Sequence, residues 1–272
     1  MKCIPSVSFL FLTLFSASSA FAETRFSGLV EPYRDVLLSS EVAGRIAEIA
    51  FREGERVEAG DVILRLDDRV ETLEVQRRQA IYNNQAELMA ARERRALLQD
   101  ELEATRALAE RTGSVSREEL NRKQLETVLA QLEIDRLEQT QSLQEIELNI
   151  AKERLAQKRI VAPFSGVVAQ LPLDEGESVQ PNQPAMRLVE DERAFLVVNV
   201  PAERARDLSM GQTVRLRFLM DEEVERSGEV AFMSPVVDPA SGLRRVKMVF
   251  ANESPKVEPG ISGFWLAGGE HE

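Results

Sequence analysis

Apolar and polar residues alternate in short runs towards both ends of the chain and recur at helical spacing through its middle. From Asp67 to Arg159 there is no proline and only one glycine, Gly113, close to the midpoint, which predicts two helices and one turn. Asp68 with Glu71 predicts an N-cap and a third-position carboxylate, and Arg111-Thr112-Gly113 a basic last turn ending on a left-handed residue. Ser116 and Glu119 have the spacing of a capping box at the restart, and Lys158-Arg159 put positive charge at the second helix's C-terminal end. The series Leu125, Leu129, Leu132, Arg136, Gln139, Leu143, Ile146, Ile150 predicts the packed seam of the second helix. Ile81, Asn84, Leu88, Ala91, Arg95, Leu98, Leu102, Thr105, Ala109 is the weaker counterpart in the first. The product is an antiparallel coiled coil with arms of roughly 40 residues, about 60 Å long. Its remaining charged and amide side chains make a solvated face.

The strands flanking this insertion repeat each other. Gly44 to Leu66 aligns with Gly166 to Leu188 at a constant offset of 122 residues, with Gly44, Ala47, Glu53, Gly54, Glu55, Val57, Arg65 and Leu66 recurring in the second copy. Each copy reads as short alternating strands around a turn where Gly54 or Gly176 supplies a positive φ. Two such halves make a β-sandwich if they pack on each other. Beyond Asp191 strands are predicted over Phe195–Val200, Thr213–Phe218, Gly228–Met233 and Arg245–Phe250, with Pro201–Leu208 a short helical candidate. With Phe26–Val30 added from the N-terminal side, these make a small β-barrel.

Composition narrows the chemistry. The first 22 residues carry Lys2, an apolar run from Ile4 to Phe15 and a small-x-small ending at Ala22, the pattern of a cleaved signal peptide, so an exported, soluble chain starting at Glu23 is expected. Cys3 precedes that run, so no lipid anchor is expected. The remaining chain has no thiol, and its sole histidine is His271. The net charge of −12 disfavours nucleic acid as a partner. Met89, Met186, Met210, Met220, Met233 and Met248 are dispersed and read as core or surface residues rather than a metal relay. No catalytic, cofactor or metal site is expected, and no pair of acids stands in a context that suggests hydrolysis.

Gly44-Arg45-Ile46 with Glu53-Gly54-Glu55-Arg56-Val57, then Ile160-Val161-Ala162-Pro163-Phe164-Ser165-Gly166-Val167-Val168 with Gly176-Glu177-Ser178-Val179, resembles the divided lipoyl motif of HlyD-type periplasmic adaptors, the membrane fusion proteins of tripartite efflux pumps. The barrel stretch from Gly211 and Pro259-Gly260-Ile261-Ser262-Gly263 is similar to the adaptor barrel. Lipoyl and biotinyl carriers present a lysine between the halves, and none stands at this junction, so no cofactor is implied. The expected fold class is α+β multidomain: a long antiparallel coiled-coil hairpin inserted in a split lipoyl-like β-sandwich, followed by a small β-barrel. Its segments are a signal peptide (1–22), an N-terminal strand joining the barrel (23–41), half 1 (42–68), the hairpin (69–159), half 2 (160–191), the barrel (192–269) and a tail (270–272). Few residues precede half 1 and the chain ends soon after the barrel, so the membrane-proximal domain of many adaptors is expected to be absent or vestigial.

The resemblance implies a non-enzymatic periplasmic coupler for drugs or toxic solutes. Its partners would be an inner-membrane transporter, most simply of the resistance-nodulation-division (RND) type, an outer-membrane channel, and further copies packed side by side as a hexameric ring or trimer of dimers. An adaptor for an ABC-type exporter or type I secretion system is the alternative, while a lipoyl or biotinyl carrier fails on export and on the missing lysine. In the family the hairpin tip docks on the channel through an Arg, a Leu four residues on and a Ser seven beyond. Ser116 fits the serine, flanked by Val115, Glu119 and Leu120, whereas Ala109 and Thr105 stand at the other two places and Arg106 is one residue out of phase.

Overall fold

A computed structural model describes residues 24–220, 223–254 and 256–267. The expected signal peptide and the tail from 270 lie outside these residues. In chain order, strand β1 (Thr24–Pro32) is followed by β2 (Asp35–Ser39), β3 (Gly44–Ile49), β4 (Arg56–Val57) and β5 (Val62–Leu66). Helices α1 (Arg69–Asn83), α2 (Ala86–Thr112) and α3 (Arg117–Ala156) come next, then β6 (Arg159–Val161), β7 (Gly166–Gln170), β8 (Ser178–Val179) and β9 (Pro184–Val189). The chain ends with β10 (Arg193–Pro201), β11 (Thr213–Leu219), β12 (Glu223–Met233), β13 (Leu243–Ala251) and β14 (Ser262–Ala267). These elements divide into two units, residues 34–190 and the remainder.

In the first unit the repeat halves interlock. One sheet runs β2-β9-β7-β4 and the other β6-β5-β3-β8, so each half contributes to both sheets. The N–H of Gly54 donates to Val168 O at 2.8 Å, and the N–H of Gly176, 122 residues on, donates to Ile46 O at 2.9 Å. Glu53 Oε1 accepts the N–H of Leu171 at 2.7 Å, and Glu175 Oε1 accepts that of Ile49 at 3.0 Å. The recurring glutamates are therefore mutual clamps between halves, which explains why that residue type returns at that position. Gly54 and Gly176 hold φ of 84° and 90°, a region a Cβ disfavours. The core is equally paired: Ile46 with Val168, Val57 with Val179, Ile63 with Ala185, Leu64 with Met186 and Leu66 with Leu188 are all buried. Each large side chain so enclosed contributes about 1.5–3 kcal/mol.

The strand expected over 23–41 is two strands in different units. β1 pairs with β10 and β14, whereas β2 joins the sandwich against β9. Asp35 and Arg187 are diagonal neighbours across that ladder and form an ion pair, with Oδ1 accepting from Nε at 2.8 Å, while Leu38 packs inward against both halves of the core.

The second unit is a closed barrel ordered β1-β10-β13-β12-β11-β14. Along β11, Val214, Leu216 and Phe218 are buried while Arg215 and Arg217 point outward, Arg217 against Glu225. Gly28 of β1 lies opposite Gly263 of β14. A Cβ on Gly263 would sit 2.6 Å from Phe218 Cδ1, so the glycine makes room for the largest fully buried side chain. β14 is not among the predicted strands because Ser262-Gly263 reads locally as turn. The helical candidate at Pro201–Leu208 reduces to one 3-10 turn over Arg204–Arg206.

Candidate functional site

The helices leave the sandwich from neighbouring strands. Leu64 pairs with Ile160 and Arg65 with Arg159 across β5 and β6, and the N–H of Leu66 donates to Lys158 O at 2.8 Å. Asp68 is buried at this root, within 3.5 Å of Arg65 and 3.7 Å of Arg159. It stands at the N-cap of α1 but gives no side-chain cap, since its carboxylate is committed to the two arginines. Lys158 Nζ, expected to oppose the C-terminal dipole of α3, pairs with Glu71 of α1 at 3.1 Å.

The first arm is two helices rather than one. α1 ends at Asn83, Asn84 has φ −81° and ψ 85°, and α2 starts at Ala86 after Gln85. From Leu88 onward the expected series holds: Leu88 and Leu102 are buried, and Ala91, Arg95, Leu98, Thr105 and Ala109 are half-buried. Ile81 and Asn84, assigned to the same series, are exposed, because α1 presents Glu71, Val75, Arg78 and Tyr82 instead.

In α3 the expected seam is overturned. Leu125, Leu129, Leu132, Leu143, Ile146 and Ile150 are 48–63% exposed. The face turned to the first arm is Leu120, Lys123, Thr127, Ala130, Ile134, Leu137, Gln141, Gln144, Leu148, Ala151 and Leu155, spaced alternately three and four residues apart, all buried or half-buried. Both series obey a heptad, the exposed one displaced by two residues, or roughly 200° around the helix. Counting apolar residues selects the outer face because the inner one includes Lys123, Thr127, Gln141 and Gln144. Contacts between the arms run along the hairpin: Lys123 Nζ to Glu101 Oε2 at 3.0 Å, Thr127 Oγ1 to Leu98 O at 3.5 Å, Arg92 to Glu138 at 2.8 Å, and Arg78 with Glu147.

At the tip Gly113 is left-handed with φ 65°, and its N–H donates to Ala109 O. Ser116 caps α3 by accepting the N–H of Glu119 at 3.1 Å, a contact worth about 1 kcal/mol. Thr112 and Ser114 share a hydrogen bond of 2.6 Å, tightening the turn. Ser116 and Glu119 are exposed and Val115 half-buried, while Leu120 is half-buried on the face of α3 turned to the first arm.

A family profile described as "RND MFP, barrel-sandwich hybrid domain" matches residues 34–191, more than half of the chain. The chain belongs to the RND membrane fusion protein family. This membrane fusion protein is 30% identical over 239 residues to the nodulation protein NolF of Rhizobium meliloti, covering 88% of this chain and 61% of that one. It is 22% identical over 256 residues to the efflux pump periplasmic linker BepD of Brucella suis, covering 86% and 60%. The chain thus spans about three fifths of the length of these relatives. In fold it is similar to MacA from Actinobacillus actinomycetemcomitans, with a TM-score of 0.69, 19% identity, and coverage of 90% of this chain and 79% of that one. Among the described residues, no helix of the membrane fusion protein is long and apolar enough to cross a membrane, and no group of three or more His, Cys, Asp or Glu could hold a metal ion.

Proposed function

We propose that the chain is a periplasmic adaptor that couples an inner-membrane efflux transporter of the RND type to an outer-membrane channel for export of drugs or toxic solutes. Copies stand side by side in a ring, and the hairpin tip around Val115, Ser116, Glu119 and Leu120 meets the channel. The observation that carries this reading is the second apolar heptad of α3, lying open on the side away from its own arm. A helix with apolar seams on opposite faces is built to stand between two helices, and within this hairpin only one is present. Covering Leu125, Leu129, Leu132, Leu143, Ile146 and Ile150 with a neighbouring hairpin would contribute roughly 1 kcal/mol for each. The family match and the efflux linker BepD support the transporter class and the direction of transport.

The test pairs two substitutions. Leu129→Asp changes an exposed residue and should leave helicity and thermal stability unchanged while abolishing chemically cross-linked oligomers and resistance to pump substrates in cells. Val115→Asp should keep the oligomers yet lose co-purification with the channel. Normal pumping by both variants would sink the proposal.

A further inference from the structure

We propose that the hairpin is jointed: the tip half and the root half are separate coiled-coil modules that bend relative to each other about Asn83–Gln85 and the facing stretch of α3. The proposal rests on the adaptor reading only for what the bending serves.

The break follows from a count. Half-buried root positions of the first arm are Glu71, Thr72, Glu74, Val75, Arg78, Gln79 and Tyr82, and the two that pair across the arms, Glu71 with Lys158 and Arg78 with Glu147, fall on the series Glu71, Val75, Arg78, Tyr82, stepping four, three, four. Tip positions are Leu88, Ala91, Arg95, Leu98, Leu102, Thr105 and Ala109, stepping three, four, three, four, three, four. An unbroken repeat would place seven residues between Tyr82 and the next equivalent position, and the chain has six. One missing residue turns the stripe by about 100°, whereas supercoiling absorbs about 20° per heptad. A continuous helix would carry one of the two stripes off α3, so the helix stops and restarts.

Every other stripe lapses at the same level. The inner face of α3 changes there from Ile134 and Leu137 to Gln141 and Gln144, and regains apolar character at Leu148. Its outer face carries Arg136 and Gln139 between Leu132 and Leu143. Asn84 and Gln85 line a cleft with Thr140, Gln141 and Gln144, walled on the tip side by Leu88 and Leu137, and Thr140 Oγ1 donates to Arg136 O at 3.0 Å, a back-bond that favours helix bending. The inter-arm ion pairs fall to either side: Arg92–Glu138 and Lys123–Glu101 hold the tip module, Arg78–Glu147 and Lys158–Glu71 the root. Between the Leu88–Leu137 layer and Leu148 the seam carries no buried apolar side chain, so bending there exposes little new apolar surface. A jointed hairpin lets the tip tilt to its partner while the root stays fixed on the sandwich.

The experiment uses the purified full chain carrying Cys3→Ser, with spin labels at Gln76→Cys and Glu103→Cys, exposed positions of α1 and α2 about 40 Å apart along the arm. Pulsed dipolar spectroscopy should give a broad distance distribution, against a narrow one for Glu93→Cys with Glu110→Cys inside α2. Insertion of one Leu between Asn84 and Gln85, with Asn83→Ala and Asn84→Ala, restores the heptad and places the new Leu on the seam. That variant should narrow the distribution to the control width and lower the resistance the protein confers at least fourfold. Should it lose helicity, a disulfide between Asn84→Cys and Gln141→Cys, formed before thioether-linked labels are attached at positions 76 and 103, provides the lock, narrowing the distribution when oxidised and releasing it when reduced. A wild-type distribution as narrow as the control overturns the joint, and full resistance with a narrowed distribution overturns its role. The spectroscopy needs neither transporter nor channel, so it fails or succeeds apart from the adaptor reading.

Discussion

Truncating Ile134 should destabilise the hairpin while truncating Leu132, two residues away and equally apolar, should not. Ile134 is 6% exposed and packs with Leu88 and Leu137, while Leu132 is 57% exposed. Large-to-small changes at enclosed sites cost 2–5 kcal/mol, the lower figure applying where the surroundings collapse or water enters. The Ile134 layer belongs to a two-helix seam open on both flanks, so about 2 kcal/mol is expected for Ile134→Ala. Leu132 has more than half of its surface in water, so Leu132→Ala removes under half of a burial of about 1.5–3 kcal/mol and should cost at most about 1.3 kcal/mol. Ellipticity at 222 nm during heating reads the hairpin directly, since its three helices dominate the helical content. For a chain of this size 2 kcal/mol corresponds to a fall in Tm of about 4–8 °C. A larger fall for Leu132→Ala than for Ile134→Ala would mean that the outer series is the seam and that the assignment of faces is wrong.

Two further outcomes concern the other parts of the chain. Gly263→Ala should push on the ring of Phe218, and an overpacking cost of about 1–3 kcal/mol should appear as a lower urea midpoint followed by Trp265 fluorescence, whereas Gly54→Ala, strained by its φ of 84° but placed in the other unit, should weaken the sandwich and leave the Trp265 midpoint unchanged. Acidification should weaken the sandwich and the root: the Arg187 guanidinium holds Asp35 below its ordinary value of 3.8, and Arg77 and Arg78 hold Glu74 down to about 2. Depressed carboxylates stabilise the fold above their unfolded values and lose that contribution as pH falls from about 4.5 towards 2, so urea midpoints should drop through this window, less steeply in Asp35→Asn. An unchanged slope in that variant would show the ion pair to be inert.

Legibility in the sequence depended on which residues carry a feature alone and which share it. The repeat was readable because Glu53 with Glu175, and Gly54 with Gly176, perform the same exchange at each end of the sandwich and so must be the same residue types. The tip was readable because Gly113 and Ser116 act through their own backbone conformation and nearest neighbours. The face of α3 was not, because two heptads coexist and hydrophobicity alone favours the outer one. The break in the first arm was equally hidden in composition, since Asn83-Asn84-Gln85 contains neither proline nor glycine, and only the six-residue step from Tyr82 to Leu88 betrays it. Strand β2 went unseen because five residues between two turns carry too little alternation to separate them from a linker.

The distribution of apolar residues in α3 has a mechanical consequence. The inner seam, which must hold a lone hairpin together, dilutes Ile134, Leu137 and Leu148 with Lys123, Thr127, Gln141 and Gln144, while the outer face is the richer in leucine and isoleucine. Stiffness of a helical pair rises with the packing that resists sliding and splaying of its arms. A hairpin alone is therefore held by a short apolar layer of Leu88, Ile134 and Leu137 and, at its root, by Asp68 between Arg65 and Arg159 and Lys158 with Glu71, with polar positions between the two. Contact along the outer heptad would add an apolar layer to α3 from outside. In the ring proposed above, rigidity would then arise with assembly, and a hairpin compliant on its own would stiffen once neighbours covered that face.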